Sequence, residues 1–384
     1  MSEFDFRTVV DRENTGSLKW DKYRGKTVLP FWVADMDFIS PPAVLKTLHE
    51  RVEHGVFGYT LARVEDEQAV VDYMVRVHGV SIEREWILWM PGLVPALNAA
   101  ARAFCEPGEA VLTCTPVYPP FLTAPAYQDC QLQTVPLKWE GERYTFDFVG
   151  LEAAVTAETK VFYLCNPHNP GGRVFSESEI RAVVDFCLKH GLVLISDEIH
   201  CDLLLSDTVS HVPTLKLGEA AEAITLGLYA PSKTYNVPGL ACSFIIIPNA
   251  KLRTRFRRAA RGMITEVNCF GYAGCTAALN DGEPWRKALI EVLKENYALL
   301  YSTVLEQMPK VVLRPMEATY LAWLDVRSLG LADPVGHFEA HGIGLSDGAF
   351  FGDPGWVRLN FGCPTAHLRR GLECLLKGYT AALA

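Results

Sequence analysis

The sequence predicts an α/β protein built on a mostly parallel sheet, with a second, smaller domain. Three observations carry this prediction. Short apolar segments rich in β-forming residues alternate with amphipathic helical stretches through the middle of the chain. The length of 384 residues suits about two domains. The C-terminal part changes character, because short strands and glycine-rich turns there lie between helices.

Five buried strands are expected, and turn residues bound each of them. They lie at residues 110–114, 161–165, 192–195, 224–228 and 243–247. A helix is expected between the second and third strands, since Ser176 and Glu179 have the spacing of a capping box and Gly191 ends the helical pattern. This order is that of a βαβ unit. Another helix is expected to begin near Leu93, beside a Pro-Gly pair.

The domain boundaries are predicted where the regular alternation of apolar strands and helices stops near the two chain ends. We expect residues 46–279 to form a large domain that binds the cofactor. Residues 1–45 and 280–384 are expected to form the small α+β domain together.

Charge and composition exclude several classes of partner. The net charge of −9 argues against nucleic acid and against an anionic membrane surface. No apolar stretch reaches the ~20 residues that cross a bilayer, and the N-terminal residues have no apolar core of a signal peptide. The 11 cysteines include no CxxC pair, and several lie in apolar runs, so we expect reduced thiols and a cytoplasmic location. No metal site is expected at His200 and Cys201, because no second ligand pair has suitable spacing.

Polar residues follow four of the predicted strands directly. Tyr118, Asn169, Asp197 and Lys233 each lie in the loop after a strand. Ligands of open α/β sheets bind beyond the carboxyl ends of the strands. We therefore expect these side chains to converge on one site.

The residue types match the requirements of pyridoxal phosphate (PLP). This cofactor needs an amine for an imine bond, an acid at its pyridine nitrogen and donors for its phenolate and phosphate oxygens. Lys233 is the amine, Asp197 the acid and Asn169 the donor to the phenolate. Tyr118 can stack on the cofactor ring. The amides of Leu93 and Val94 at a helix start can hold the phosphate, helped by the hydroxyl of Ser232.

Longer motifs extend over nearly the whole chain. They are KWDKY (19–23), WVADMDF (32–38), FGYT (57–60), PVYPPF (116–121), NPHNPGG (166–172), SDEIHCDL (196–203), APSKTYNVPGL (230–240), EATYLAWLD (317–325) and RLNFGCP (358–364). In these motifs and their order the chain resembles the fold-type I PLP enzymes, which share the aspartate-aminotransferase-like fold. It resembles most specifically the MalY/PatB group of cystathionine β-lyases and cysteine-S-conjugate β-lyases.

The resemblance implies further roles at matching positions. Lys233 corresponds to the Schiff-base lysine. Substrate contacts are implied for Arg358, which grips the α-carboxylate, for Asn169 and for the backbone of Ala34. Tyr59 corresponds to a tyrosine that reaches the cofactor phosphate of the neighbouring subunit, so a homodimer with shared active sites is implied.

Three functions remain open from the sequence. The first is a PLP-dependent carbon–sulfur β-lyase acting on cystathionine or related L-cysteine thioethers. The second is an aminotransferase of the same fold, although Ala241 stands eight positions after Lys233, where class I aminotransferases usually have an arginine. The third is a PLP-binding regulator with little turnover. We expect no additional DNA-binding domain, since the motifs begin within the first ~20 residues.

Overall fold

This computed structural model describes residues 4–384 of the chain. The strands are β1 (Leu29–Pro30), β2 (Ile87–Met90), β3 (Ala110–Thr115), β4 (Gln131–Pro136), β5 (Lys138–Glu140), β6 (Arg143–Thr145), β7 (Thr159–Cys165), β8 (Val193–Asp197), β9 (Thr225–Tyr229), β10 (Ser243–Ile246), β11 (Val312–Leu313), β12 (Leu321–Asp325), β13 (Ile343–Gly344), β14 (Ser346–Asp347) and β15 (Trp356–Asn360). The α-helices are α1 (Leu18–Asp21), α2 (Pro42–His54), α3 (Val64–Tyr73), α4 (Leu93–Phe104), α5 (Pro119–Thr123), α6 (Phe148–Ala154), α7 (Glu177–His190), α8 (Glu219–Glu222), α9 (Pro231–Thr234), α10 (Ala250–Ala260), α11 (Cys269–Asp281), α12 (Glu283–Gln307), α13 (Pro334–Ala340) and α14 (Thr365–Ala381).

A seven-stranded sheet with the order β2-β10-β9-β8-β7-β3-β4 forms the centre of the fold. Strands β3, β7, β8, β9 and β10 are buried along nearly their whole length because helices cover both faces of the sheet, whereas the edge strand β4 is largely exposed. Along β7, Val161, Tyr163 and Cys165 pack in one core cluster with α4. The alternate residues Phe162 and Leu164 pack in another cluster with α7. The predicted α/β class and all five predicted strands are confirmed.

The last predicted strand, β10, runs antiparallel to both of its neighbours, β2 and β9. A parallel return would need a crossover connection to the opposite edge of the sheet. The segment between β9 and β10 instead forms α9 and a short turn, so the chain re-enters the sheet from the edge at which β9 ends. Consequently Cys242 and Ser243, at the start of β10, lie at the same edge as the loops that follow the parallel strands.

Two helices begin where the sequence predicts. The Oγ of Ser176 accepts a hydrogen bond from the Glu179 amide, and the Glu179 carboxylate accepts one from the Ser176 amide, which confirms the capping box of α7. Gly191 ends α7 in the left-handed conformation at φ 66°. The helix α4 begins at Leu93, after Gly92, and no side chain caps its first turn.

The two ends of the chain share a core. Strand β1 pairs in parallel with β13, and a four-stranded antiparallel sheet has the order β11-β12-β15-β14. Phe6, Phe31 and Val44 pack in one apolar cluster with side chains between residues 285 and 379. This is the packing expected of a small domain made from both chain ends, and the exact boundaries stay a prediction. Among residues 4–384, no helix is long and apolar enough to cross a membrane.

Asp37 organises a buried ionic cluster near the N-terminus. Its carboxylate accepts hydrogen bonds from Lys19 Nζ at 2.6 Å, Arg12 Nη1 at 2.6 Å and Trp20 Nε1 at 2.8 Å. Lys19 is 1% exposed and Asp37 3% exposed. Burial alone would raise the pKa of Asp37, but these three donors outweigh it and lower the pKa. The cluster therefore fixes the segment that contains residues 31–37 onto α1.

We predict that Asp37→Asn destabilises the protein by about 3–5 kcal/mol, because Lys19 would be left as a buried charge without an anionic partner. Denaturant unfolding at neutral pH measures the change. Glu50→Gln serves as the control, since it removes an exposed pair with Lys46 that contributes about 0.2–0.5 kcal/mol. Equal stability of the two variants would contradict a structural role for the Asp37 cluster.

Candidate active site

A cavity of about 160 Å³ lies at the edge of the sheet where the parallel strands end. Eight of the ten site residues predicted from the sequence line it: Ala34, Leu93, Val94, Tyr118, Asn169, Asp197, Ser232 and Lys233. Arg358 joins them by a hydrogen bond to Asn169. These residues come from seven separate segments, and sheet topology brings the segments together.

Lys233 lies in the short helix α9, directly after β9. Its Nζ donates a hydrogen bond of 2.8 Å to the carbonyl oxygen of Ala34. Burial, followed by the positive charge of Arg358, lowers the pKa of Lys233 to about 8. A substantial fraction of the amine is therefore neutral near physiological pH, and a neutral amine is both a nucleophile and a base.

Asp197 is the last residue of β8 and is 4% exposed. Its side chain accepts a hydrogen bond of 3.1 Å from the Ile199 amide. Burial raises the pKa of Asp197 to about 7, and the nearby charge of Lys233 opposes this change only in part. A cation bound beside Asp197 would favour its ionised form. The carboxylate is therefore suited to a cationic group of a ligand.

Arg358 lies on β15 and is 4% exposed. Its guanidinium donates to Asn169 Oδ1 at 3.0 Å and to Trp32 O at 3.1 Å, and it lies 4.7 Å from the centre of the Phe351 ring. Burial lowers its pKa to about 10, which still leaves it charged at neutral pH. Nε has no hydrogen-bond partner, and no carboxylate of residues 4–384 forms an ion pair with Arg358. A buried cation without a counter-ion favours an anionic ligand.

Two polar groups beside Arg358 are oriented as donors. Asn169 uses its Oδ1 to accept from Arg358, so its Nδ2 is left to donate. The carbonyl of Ala34 accepts from Lys233 Nζ and, at 3.0 Å, from the hydroxyl of Tyr320. The amide N–H of Ala34 has no acceptor within residues 4–384. It is therefore available to a carboxylate held by Arg358.

The N-terminus of α4 also lines the cavity. The amides of Leu93 and Val94 lie in its first turn, where helix N–H groups lack intrahelical partners. Such amides and the helix dipole favour an anionic group such as a phosphate. Ser232 lines the same cavity and adds a hydroxyl. The cavity thus combines a phosphate-type site, a carboxylate and an amine, which is the set of groups that PLP requires.

The two predicted aromatic residues differ in position. Tyr118 lines the cavity at the start of α5, and burial raises its pKa. Tyr59 is fully exposed, at 113% of the reference value, and does not line the cavity of its own chain. The proposal that Tyr59 acts in a neighbouring subunit remains a prediction.

Tyr320 and His200 are site residues that sequence reasoning missed. Tyr320 holds the carbonyl of Ala34, and His200 lines the cavity beside Asp197. Tyr320 lies in the motif EATYLAWLD and His200 in the motif SDEIHCDL. Membership of these motifs was the sequence feature that could have identified both residues. His168, between two prolines, instead accepts from the Gly171 amide and bonds to Pro116 O at 2.8 Å, which joins two loops.

Cys201 has polar neighbours that its sequence spacing does not reveal. Ligand atoms of His78, Cys201 and Asp202 lie within 4.8 Å of one another. The hydroxyl of Tyr73 donates to Asp202 at 2.7 Å and lies 2.9 Å from His78 Nε2. We interpret the group as a buried hydrogen-bond network around Tyr73, and the expectation of no metal stays a prediction.

Comparisons with known proteins place these features in a family. The family model of class I and II aminotransferases matches residues 26–375. Cystathionine beta-lyase PatB from Bacillus subtilis is 36% identical over 380 residues, which are 96% of this chain and 98% of PatB. These matches confirm the predicted family.

Solved structures agree closely with this chain. The crystal structure of OvoB has a TM-score of 0.96 at 38% identity and covers 98% of this chain and 100% of that one. Cystalysin from Treponema denticola, whose structure contains pyridoxal 5'-phosphate, has a TM-score of 0.94 at 32% identity and covers 98% of this chain and 99% of that one. The predicted fold class is confirmed.

We predict that Lys233 of the cofactor-free protein becomes reactive toward formaldehyde and borane with a midpoint near pH 8, because only its neutral amine reacts and its pKa is about 8. An ordinary lysine has its midpoint at about pH 10.4. Pulsed labelling across neutral and alkaline pH, followed by mass spectrometry of the peptide, measures the midpoint.

Arg358→Gln is the matched variant for this experiment. Removal of the neighbouring positive charge should raise the pKa of Lys233 and move the midpoint to higher pH. A midpoint near that of an ordinary lysine in the unchanged protein would contradict the environment described for Lys233.

Proposed function

Because the chain belongs to the family of class I and II aminotransferases and resembles its cystathionine β-lyases over nearly its full length, we propose that it is a PLP-dependent carbon–sulfur β-lyase. It cleaves cystathionine or related L-cysteine thioethers to a thiol, pyruvate and ammonia. One observation carries the proposal: an amine, a carboxylate and a guanidinium that has no acidic partner in the described part of the chain meet around one cavity with a helix N-terminus.

The residues of the cavity fit the cofactor group by group. Lys233 would attach it covalently, and Asp197 would pair with its pyridine nitrogen. Asn169 would donate to the phenolate oxygen through Nδ2, the amide atom that Arg358 leaves available. Tyr118 would contact the ring. The amides of Leu93 and Val94 and the hydroxyl of Ser232 would hold the phosphate.

The substrate is oriented by its α-carboxylate. Arg358 supplies the positive charge, and the free amide N–H of Ala34 adds a second donor. Asn169 bridges this carboxylate pocket to the cofactor pocket. A carboxylate bound there would neutralise Arg358 and complete its hydrogen bonding, which accounts for the lack of an acidic partner for Arg358 among residues 4–384.

Lys233, freed when the substrate amine takes its place on the cofactor, would act as the base that removes the proton from the substrate Cα. Its pKa of about 8 allows the neutral form that proton removal requires. PLP supplies an electron sink for the charge that develops at Cα. Cleavage of the bond between Cβ and sulfur then needs only a thiolate leaving group, whereas transamination also needs a keto acid. Ala241, which replaces the usual phosphate-binding arginine of class I aminotransferases, supports the lyase branch.

We predict that the enzyme releases thiol and pyruvate in equal amounts from cystathionine or an S-alkyl cysteine without any keto acid. Lys233→Ala should lower the rate by about 10²–10⁴-fold or more, since the base is lost. Borohydride should fix the cofactor to the Lys233 peptide of the unchanged enzyme and to no peptide of the variant.

The same assay with added 2-oxoglutarate separates the two chemistries. An increase in glutamate, with turnover that depends strictly on the keto acid and no thiol released, would establish an aminotransferase instead. Cofactor fixed to another lysine would overturn the assignment of Lys233.

The functional unit is a homodimer with shared active sites. Around Tyr59, the apolar side chains of Val56, Phe57 and Leu61 are each more than half exposed, at 62%, 57% and 70%. Contiguous exposed apolar surface of this kind favours a protein interface. Tyr59 then completes the phosphate site of the second subunit. All eleven cysteines are free thiols, which supports a location in the cytoplasm.

We predict that hybrid dimers of Tyr59→Phe and Lys233→Ala subunits contain one site with unchanged cofactor affinity. If Tyr59 acts across the interface, the subunit that keeps Lys233 receives an intact tyrosine from its partner. If Tyr59 acts within its own chain, that site carries the phenylalanine instead. Cofactor affinity equal to that of the Tyr59→Phe homodimer would therefore rule out sharing.

A further inference from the structure

Two cysteines from different elements meet beside the cavity. Cys242 comes directly before β10, and Cys275 lies in α11. Both belong to one apolar core cluster and are buried, at 5% and 1% exposure. Cys242 also lines the cavity, so this residue forms part of the cavity wall and part of the core behind it. The pair therefore connects the cavity to a buried helix.

Close packing of α11 brings the two thiols together. A Cβ atom added to Gly271 would lie 3.3 Å from the Cβ of Cys242, so the helix approaches the start of β10 most closely at a glycine. Cys275 lies four residues after Gly271, on the same face of α11 and one turn further along. The thiols of Cys242 and Cys275 are hydrogen-bonded to each other.

The hydrogen bond gives the two thiols different roles. It is the largest of the causes, followed by burial, that raise the pKa of Cys275 well above its usual range. Cys275 therefore keeps its proton and donates it to the sulfur of Cys242. Cys242 is the thiol that a molecule in the cavity can reach. Cys242 is thus placed to react first and Cys275 second.

Cys165 also lines the cavity, but its thiol has different neighbours. It donates to the Pro167 carbonyl oxygen at 3.5 Å and accepts from the Asn169 amide at 3.4 Å. These backbone contacts hold Cys165 at the end of β7. Cys242 and Cys275 instead combine access to the cavity with a second thiol in contact.

We propose that Cys242 and Cys275 form a thiol–disulfide exchange site that opens into the cavity and takes low-molecular-weight disulfides as its oxidants. Disulfides of this class are the oxidised form of the thiols that a β-lyase releases, so the choice of oxidant rests on the proposed function. Both cysteines are free thiols in this structure, as expected of a pair that is oxidised only transiently.

The exchange has two steps. The thiolate of Cys242 attacks one sulfur of the small disulfide, which breaks the S–S bond and releases one small thiolate. That thiolate removes the proton of Cys275, and the Cys275 thiolate then attacks the sulfur of Cys242 and displaces the second small thiolate. The two cysteines together lose two electrons and two protons. The small disulfide gains them and leaves as two thiols.

The experiment compares the full-length protein without cofactor and with PLP in excess. Each is treated with 2-hydroxyethyl disulfide, blocked with iodoacetamide and mapped by mass spectrometry without reduction. We expect a peptide pair joined through Cys242 and Cys275 in the cofactor-free protein. Because bound PLP would cover the cavity wall, the rate of joining should fall by about tenfold or more when PLP is in large excess over its Kd.

Two variants separate the roles of the two thiols. Cys242→Ser should leave Cys275 reduced, whereas Cys275→Ser should stop at a mixed disulfide between Cys242 and 2-mercaptoethanol. Alanine replaces serine if either variant does not fold. Cys105 and Cys130 are the matched control within the same protein, since their thiols also bond to each other but line no part of the cavity. PLP should not change the rate at which this control pair is modified.

The inference is overturned if the cofactor-free protein yields no peptide pair joined through Cys242 and Cys275. It is also overturned if the joining rate is the same with and without PLP in a protein that shows the visible band of the bound cofactor. A protein that gains no visible band with PLP refutes the proposed function instead. The joined peptides of the cofactor-free protein still test the exchange site in that case, so the two failures are distinguishable.

Discussion

The structure depends on charged side chains that are buried without a full set of hydrogen-bond and ion-pair partners. No carboxylate of the described residues 4–384 pairs with Arg358, and Lys233 and Asp197 lie in the same cavity with strongly shifted pKa values. Such groups are tolerated only where dipoles and hydrogen bonds partly compensate them. The carbonyls of Trp32 and Ala34 do so in this cavity. The remaining compensation is left to a ligand, which makes the cavity selective for a molecule with matching charges.

The 31–37 segment supplies that compensation from the backbone. Each carbonyl from residue 32 to residue 36 accepts from side chains: Trp32 O from Arg358 and Ser346, Val33 O from Asn360, Ala34 O from Lys233 and Tyr320, Asp35 O from Asn360 and Lys19, and Met36 O from Arg12 and Asn236. An extended segment outside any sheet would otherwise leave these groups unpaired. The segment therefore connects the Asp37 cluster to Lys233, and the folding of the chain start is coupled to the cavity.

The same environment determines protonation. Burial brings the pKa of Lys233 down and that of Asp197 up, to about 8 and about 7, so both groups change charge close to neutral pH. A cation at Asp197 and an anion at Arg358 would each favour the ionised form of their partner. Ligand binding and protonation are therefore linked in this cavity.

Local patterns in the sequence were sufficient to predict the parallel core and most of the site, because apolar strands followed at once by polar residues are visible without a structure. Lys233, Asp197, Asn169 and Tyr118 were found this way. The antiparallel direction of β10 emerged from the three-dimensional fold alone, since direction depends on which edge the chain re-enters. The contact of the Ala34 carbonyl with Lys233, 199 residues away, emerged in the same way. Such contacts join segments distant in sequence, so no local periodicity or motif spacing encodes them.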